Sequence, residues 1–413
     1  MSDIGVVEAA PESVDLNALL GMTDEEINAV ATADSLPDVV TEEEEIDEPH
    51  ITVATKKLLD VLKISAMIAA AGENSFEGKV VVFNIENDGV KFLLSDNKRN
   101  IQKDVDIVNQ DKRFTGFLAF TTTTLARLIK VCGSTFSIIE RVNEKEDGKK
   151  EKKYVLKITG GEIHLDNINM SRDKFIKDYT DSTIKEYDKN NITSAISRLF
   201  TFASTSIKSG KNIDFNGNVI QASPINSLAK ITFDETFPNF RLSLTDARIL
   251  YLLASTDDSE KIGINSEGKI FSGNTYHFKT ESFQTSQVPF DSVAERMLTG
   301  ESAAIDAKHL GQITDLSVGL DTSIGDLAFN ISEGHVECEL LTKRENSKII
   351  IQGTTNNDLV SLDNPVKVPA SNLKGALSIF PTETILNMRV TPDGVSFQAG
   401  QVRVSVLGKG VGK

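Results

Sequence analysis

An amphipathic helix followed by a run of short strands recurs about every fifty to sixty residues between Ile51 and Leu407. That recurrence limits the chain to a fold assembled from repeated units. The stretch Asn191–Phe215 shows the pattern most plainly: Ile192, Ile196, Leu199, Phe200 and Ala203 fall at helical spacing on one side, and Ser194, Arg198, Thr201 and Thr205 on the other. A Ser-Gly-Lys turn and the start of a strand follow.

Six such units can be traced. The first opens with a strand at Ile51, continues as a helix over Thr55–Ala70, and adds strands at Val80–Ile85 and Gly89–Leu94 around the Asn87-Asp88-Gly89 turn. The second has a strand at Phe114–Phe120, a helix over Thr123–Gly133 that ends in glycine, and strands at Thr135–Val142, Tyr154–Ile158 and Glu162–Leu165. The third follows its helix with Asn212–Phe215, Val219–Gln221 and Ala229–Phe233. The fourth places Phe240–Leu244 before a helix at Thr245–Ser255, then Lys261–Asn265, Lys269–Ser272 and Thr275–Phe278. The fifth has Ser302–Ile305, a helix capped by Asp306, and strands at Ile324–Ile331, Gly334–Leu341 and Lys348–Gln352. The sixth has Val366–Val368, a helix at Ser371–Phe380, and strands at Thr384–Val390, Gly394–Gln398 and Arg403–Leu407.

One helix and its strands cannot cover both faces of a sheet, so consecutive units are expected to pair. The reading is an α+β chain of three domains, at 51–170, 187–283 and 302–409, joined by polar connectors at 171–186 and 284–301. In each pair the two helices cover the same side, and their outward faces form one surface.

Charge is distributed unevenly along the chain. The net charge of −16 resides almost wholly in residues 1–50, which hold fifteen Asp and Glu and no Lys or Arg, so the remainder is close to neutral. The acidic segment has the composition of a solvated, disordered tail, a docking peptide, or an anionic decoy that competes with DNA for a basic surface. Within the neutral remainder, cations gather on the outward helix faces: Lys56, Lys63, Arg127, Lys130, Arg198, Arg248, Lys308 and Lys374 stand against Asp60 and Asp315. Asp246 and Asp306 occupy first-turn positions, where capping accounts for them. Spaced Lys and Arg with Ser and Thr between them suit phosphate contact without base reading. No Trp and no aromatic stripe offer a stacking platform for single strands.

Little else suggests chemistry. Cys132 and Cys338 stand far apart on apolar runs, which fits small core residues in a reducing compartment and not a disulfide framework. His50, His164, His277, His309 and His335 lack metal-ligand spacing and nucleophile neighbours. The terminal Gly408-Lys-Gly-Val-Gly-Lys413 resembles a phosphate loop but has no helix after it, and is expected to fray. No apolar run is long enough to span a membrane and no signal-peptide pattern opens the chain, so a cytoplasmic protein is expected, in the host cytoplasm if viral.

The run Leu199–Asp214 with Ser206-Ile-Lys-Ser-Gly-Lys-Asn212, the unit Phe240–His277 with Ser266-Glu-Gly-Lys269, and Ile305–Leu341 with Val318-Gly-Leu320 and Ser332-Glu-Gly334 resemble, in that order, the DNA polymerase sliding clamps. Residues 190–413 look most like the processivity clamps of T4-type bacteriophages. Residues 51–170 repeat the plan and add a third domain, as in the bacterial polymerase III beta subunit; the acidic segment matches neither. The resemblance implies a DNA-clamp fold, no enzymatic activity and no cofactor or metal. It also implies a head-to-tail homodimer ring of six domains, whose twelve helices line a channel about 25 Å clear. Implied partners are duplex DNA without sequence preference, a DNA polymerase, a clamp-loader ATPase and, by way of late promoters, RNA polymerase or a late transcription factor. A groove for partner peptides is implied near the second connector, at Tyr251, Val288, Pro289, Phe290, Val406 and Leu407. The rival reading is a repeat-built structural or assembly protein of a phage particle, which accounts for the repeats and the acidity but not for the cations on the helices.

Overall fold

The computed structural model describes residues 48–409 apart from 72–74, 88, 106, 133–134, 145–149, 159–160, 166, 205–211, 225, 284–290, 300, 321–325, 333–334, 342–345 and 351–361. The acidic segment through 47, most of the 206–212 motif, Gly133, Val288, Pro289, Phe290 and the last four residues therefore lie outside the described residues.

The elements follow the repeat. The first pair of units comprises β1 (His50–Ala54), α1 (Thr55–Ala71), β2 (Val80–Glu86), β3 (Gly89–Ser95), β4 (Arg99–Val105), β5 (Ile107–Gln110), β6 (Gly116–Thr121), α2 (Thr122–Val131), β7 (Thr135–Glu144), β8 (Lys150–Ile158) and β9 (Gly161–Leu165). The second comprises β10 (Lys185–Asp188), α3 (Lys189–Ser204), β11 (Asn212–Ala222), β12 (Ser227–Ser243), α4 (Leu244–Ser255), β13 (Lys261–Ile264), β14 (Ile270–Ser272) and β15 (Tyr276–Thr280). A short α5 (Asp291–Arg296) precedes the third, which comprises β16 (Ala303–Asp306), α6 (Ala307–Leu320), β17 (Asp326–Ser332), β18 (His335–Leu341), β19 (Asn346–Ile350), β20 (Val366–Pro369), α7 (Ala370–Leu377), β21 (Ile385–Thr391), β22 (Gly394–Ala399) and β23 (Val402–Leu407).

The strands form four sheets, ordered β5-β1-β7-β8-β9, β10-β13-β14-β15-β4-β3-β2-β6, β11-β12-β23-β22-β21-β16 and β19-β18-β17-β20. Within a pair, each unit gives its opening strand to the other. β1 opens the first unit but pairs with β7 of the second, from His50↔Ile139 to Ala54↔Thr135, and β6 returns to β2, from Val80↔Thr121 to Ile85↔Gly116. β16 pairs with β21, and β20 with β17, in the same reciprocal way. Through this exchange the sheet of each unit is completed by its partner.

The chain divides into two compact bodies. One holds the described residues through Glu186 with Leu252–Asn265 and Lys269–Glu281; the other holds Tyr187–Tyr251, Ser266–Gly268 and Ser282 onward. The stretch 187–283 thus contributes to both. β15 joins β4 in the first body, and β12 joins β23 in the second.

Each body has an aromatic centre. In the first, Phe83 meets Phe92 and Phe120 edge to face at 4.4 and 5.6 Å. In the second, Phe215 stacks on Phe240 at 4.3 Å and meets Phe237 edge on at 5.8 Å. The first connector is better anchored than its polar composition suggests. Phe175 is fully buried against Val80, Val82, Leu93 and Ala119, and Tyr179 stacks on His277 at 5.0 Å.

Several boundaries differ from expectation. The sequence read Asn212–Phe215 and Val219–Gln221 as separate strands, whereas β11 runs through both and bulges at Gly217 (φ +59), whose N–H donates to Asn239 Oδ1 at 2.9 Å. β12 likewise joins Ala229–Phe233 to Phe240–Ser243, with Leu244 opening α4 and Pro238 between the paired blocks, where its missing donor is tolerated. Gly408 and Lys409 do not fray: their N–H groups donate to Asp393 O at 2.8 Å and Lys367 O at 2.7 Å.

Two glycines predict different costs. Gly268 has φ +64, and a Cβ there would lie 2.0 Å from Phe240 Cγ; Gly217 has the same backbone sign but nothing within 4 Å. Gly217→Ala should cost about 1 kcal/mol, and Gly268→Ala about 2–4 kcal/mol once the ring is displaced. Thermal unfolding should rank the variants in that order, and equal shifts would contradict the packing at Phe240. His277 predicts a pH effect. Burial holds its imidazole below the ordinary value, with Asp104 raising it and Lys91 lowering it further. The unfolded chain therefore takes the proton first, and stability should fall as pH drops below about 6.5 towards the folded value. His277→Gln should flatten the dependence of Tm on pH across that window.

Candidate nucleic-acid interface

Each of the six longer helices buries an apolar face and leaves one stripe in solvent. On α1 the stripe is Lys56, Asp60 and Lys63, with Leu58, Leu59, Leu62 and Ala66 buried behind it. Lys63 Nζ lies 3.5 Å from Asp60 Oδ1, one turn away, a half-exposed pairing that contributes about 0.5 kcal/mol. α2 exposes Arg127 and Lys130 over buried Leu125, Leu128 and Ile129. Its N-terminus is capped by Thr121, whose hydroxyl accepts the Thr124 N–H at 3.0 Å, and a buried bond of 2.6 Å between the Thr122 and Ser65 hydroxyls ties α2 to α1.

In the second body, α3 exposes Ser194, Ser197, Arg198 and Thr201 above Ile192, Ile196 and Leu199. Arg248 of α4 extends over the ring of Phe200 on α3, 4.8 Å from its centroid, so its guanidinium is held by a cation–π contact. Lys308, Gln312 and Asp315 form the exposed stripe of α6, and Lys374 is exposed on α7. Lys374 Nζ reaches Asp315 Oδ1 at 2.8 Å. Sequence spacing had set these two apart as opposing charges on separate helices; side chains that meet across helices leave no periodic signal.

The remaining acids behave as capping predicts. Ser243 Oγ accepts the Asp246 N–H at 3.1 Å and bonds its carboxylate at 2.5 Å, and Asp306 Oδ1 accepts the Lys308 N–H at 2.8 Å. Among the described side chains of these six helices, only Asp60 and Asp315 put a carboxylate on an exposed stripe, and both are paired with lysine. Arg127, Arg198 and Lys308 have exposed side chains without an ion-pair partner among the described residues. Such a surface can attract a polyanion and has no fixed geometry for reading bases.

Of the residues expected to form a peptide groove, Val288, Pro289 and Phe290 lie outside the described residues. Tyr251 is half-buried, whereas Val406 and Leu407 are buried within β23. Ser405 Oγ donates to Ala294 O at 3.4 Å and Ser396 Oγ to Met297 O at 2.6 Å, so α5 and the residue after it cover that side of the sheet. By strand alternation Val406 points to the opposite side. Leu228 and Ala294 complete the contact, and neither was legible as a pair in the sequence.

Other chemistry-bearing residues stay apart. Among the described residues no three His, Cys, Asp or Glu side chains gather as a metal set. Burial pushes the Cys132 thiol up to about 11 and that of Cys338 to about 12, so neither is a thiolate near neutral pH. His50 is buried with Nδ1 2.8 Å from Glu48 O, while His164, His309 and His335 are exposed. Among the described residues no helix is long and apolar enough to cross a membrane.

No family profile matches the sequence, and no curated protein matches it. Solved structures do. The DNA polymerase sliding clamp of Pseudomonas aeruginosa, crystallised with a ligand, superposes with a TM-score of 0.68 at 15% identity, over 87% of this chain and 99% of that one. The DNA polymerase III beta subunit of Thermotoga maritima gives 0.66 at 12% identity, over 87% and 98%. A DNA polymerase III beta subunit homologue from Eubacterium rectale gives 0.65 at 12%, over 88% and 100%. At such low identity it is the fold that is shared, and it is shared over nearly the whole of both chains: this chain has the sliding-clamp fold, in the three-domain plan of the bacterial beta subunits.

Proposed function

We propose that this chain is a DNA sliding clamp, a ring that encircles duplex DNA and tethers a DNA polymerase to it. The observation that carries the reading is that the chain combines the clamp fold with outward helix stripes on which eight cations face two carboxylates. The neighbours are named as DNA polymerase sliding clamps and polymerase III beta subunits, which supports a polymerase as partner. A tethered polymerase gains effective concentration and needs no chemistry from the clamp. On this reading an ATPase loader opens the ring, and contacts with RNA polymerase or a late transcription factor are a further use of the same ring.

The repeat supports head-to-tail closure of two copies. Leaving aside the short β5, which returns to β1, in each body the last strand of one unit pairs with the last strand of a unit from the neighbouring pair: β4 with β15, and the start of β12 with β23. The same rule leaves β9 and β19, each at the edge of its own sheet, as the outstanding last strands. β19 of one copy and β9 of the next are then the joining edges, and two such joints close a ring.

Light scattering after size exclusion should give twice the chain mass, and the protein should stay on nicked circular DNA yet run off once the circle is cut. A monomer, or retention that ignores DNA topology, would sink the ring. Single cysteines placed along 161–165 and along 346–350 should yield a disulfide-linked dimer for at least one pairing, seen on non-reducing gels; no crosslink from any pairing would place the joint elsewhere. Replacing Arg127, Arg198 and Arg248 together by alanine should weaken duplex binding equally for all sequences. It should also lower the salt slope by about 0.9 for each phosphate that is no longer neutralised. A sequence-dependent effect would contradict binding through the backbone.

A further inference from the structure

A basic cleft of about 580 Å³ opens on the first body, built from none of the six helices discussed above. Its walls are the β3–β4 turn, the first connector near Lys174 and the ends of β14 and β15. Two of its acids are already matched. Asp96 accepts the Lys98 and Arg99 N–H groups at 2.7 and 2.6 Å and pairs with the Arg99 guanidinium at 2.9 Å, with both side chains buried. Glu77 is bonded by Lys174, which holds its carboxyl down at about 2. The lining as a whole carries six cations, Lys98, Arg99, Lys174, Lys177, Lys269 and Lys279, against three acids, Glu77, Asp96 and Glu281. The wall is fixed in place, because the Lys174 carbonyl accepts from Ser95 Oγ at 3.0 Å and Asn100 Nδ2 at 3.4 Å. The cleft is a preformed concavity with excess positive charge in a region of the chain that is otherwise close to neutral.

We propose that this cleft binds the chain's own acidic N-terminal segment, residues 1–47. That segment has fourteen Asp and Glu and no Lys or Arg, which complements the cleft in sign. It enters the first body at Glu48, whose carboxylate is held by Arg141 at 2.9 and 3.1 Å. A body of this size has a radius of gyration of about 15 Å, and 47 residues can extend to roughly 150 Å, so the whole surface of the body is within reach. An exposed lysine–carboxylate pair contributes only about 0–1 kcal/mol, so a single acid would not stay bound. Many acids on one tether meet that requirement, since the tether keeps their local concentration in the millimolar range or above. A nucleic-acid phosphate has the same charge, but it lacks the tether.

The test uses the full chain with a photo-crosslinking residue in place of Leu20 or Val39, which leaves the charges of the segment intact. At low salt at least one position should crosslink to peptides containing 95–100, 174–177 or 269–281. The yield should fall at least five-fold in Lys177→Glu/Lys279→Glu and again in wild type at 0.5 M salt. Thermal unfolding of the double variant, close to that of wild type, shows that the drop is not one of folding. Crosslinks confined to other surfaces, or a yield indifferent to both changes, overturn the proposal. Lysine acetylation supplies a second readout. Cleft lysines protected by added duplex DNA but not by the segment, judged against a chain with all fourteen acids changed to Asn or Gln, would assign the cleft to nucleic-acid phosphate and overturn the proposal as well.

Discussion

The exchange of opening strands between paired units is the constraint on which the rest depends. A unit that kept its own first strand would close its sheet locally and leave its helix free to pack in any direction. With β1 in the sheet of β7 and β6 in the sheet of β2, each unit's helix begins directly where the exchanged strand ends: Ala54 runs into Thr55, and Thr121 into Thr122. The strand pairing therefore fixes where both helices start. α1 and α2 come together by their small and hydroxyl-bearing residues, Ser65 and Thr122 among them, and their charged stripes are left outside. The cations need no individual positioning device, because the exchange orients the helices that bear them.

The strands that join one pair of units to the next follow a different rule from the core strands. β4 lies between β3 and β15, yet its sequence Arg-Asn-Ile-Gln-Lys-Asp-Val is mostly polar, so periodicity in the chain did not reveal it. Its polar groups are satisfied locally: Arg99 by Asp96, Asn100 by Ser95 and Lys103 Nζ by Thr256 Oγ1 at 3.0 Å. A buried polar group with a partner costs far less than one without, which is why such a strand is stable in the middle of a sheet. The apolar strands were legible because Val80–Ile85 is a nearly continuous apolar run and Arg403–Leu407 alternates, each in its own residues. β4 was hidden because what makes it a strand lies in its neighbours.

The same division separates what was readable of the candidate interface from what was not. Helical spacing put Arg127, Arg198, Lys308 and Lys374 on outward faces, and exposure agrees. Spacing also identified Asp246 and Asp306 as capping residues, since a cap is a contact within four residues. It gave no hint that Phe200, assigned to the buried side of α3, would lie half-buried beneath Arg248, or that Lys374 and Asp315 would meet. Both contacts join helices distant in the chain. The cover that α5 and Met297 place over β22 and β23 was not legible either, because it depends on tertiary placement that no local pattern carries.

The weakness of the helix-face cations is itself informative about the proposed clamp. An exposed guanidinium over a half-buried ring contributes about 0.5–2 kcal/mol and an exposed ion pair less, so no single helix grips a phosphate strongly. A protein that stayed on DNA by affinity would need deeper, better-oriented contacts, and each would become a barrier to translation along the duplex. A closed ring separates the two demands. In the proposed ring, retention would come from connectivity, and the cations would need only to keep the duplex centred and hydrated as it moves. Serines and threonines on the α3 stripe, where glutamates are otherwise common on exposed helices, suit that role: they bond water or phosphate in turn and fix neither. Stronger cations at those positions would raise equilibrium binding and slow movement, so a surface this sparing in charge is what topological retention permits.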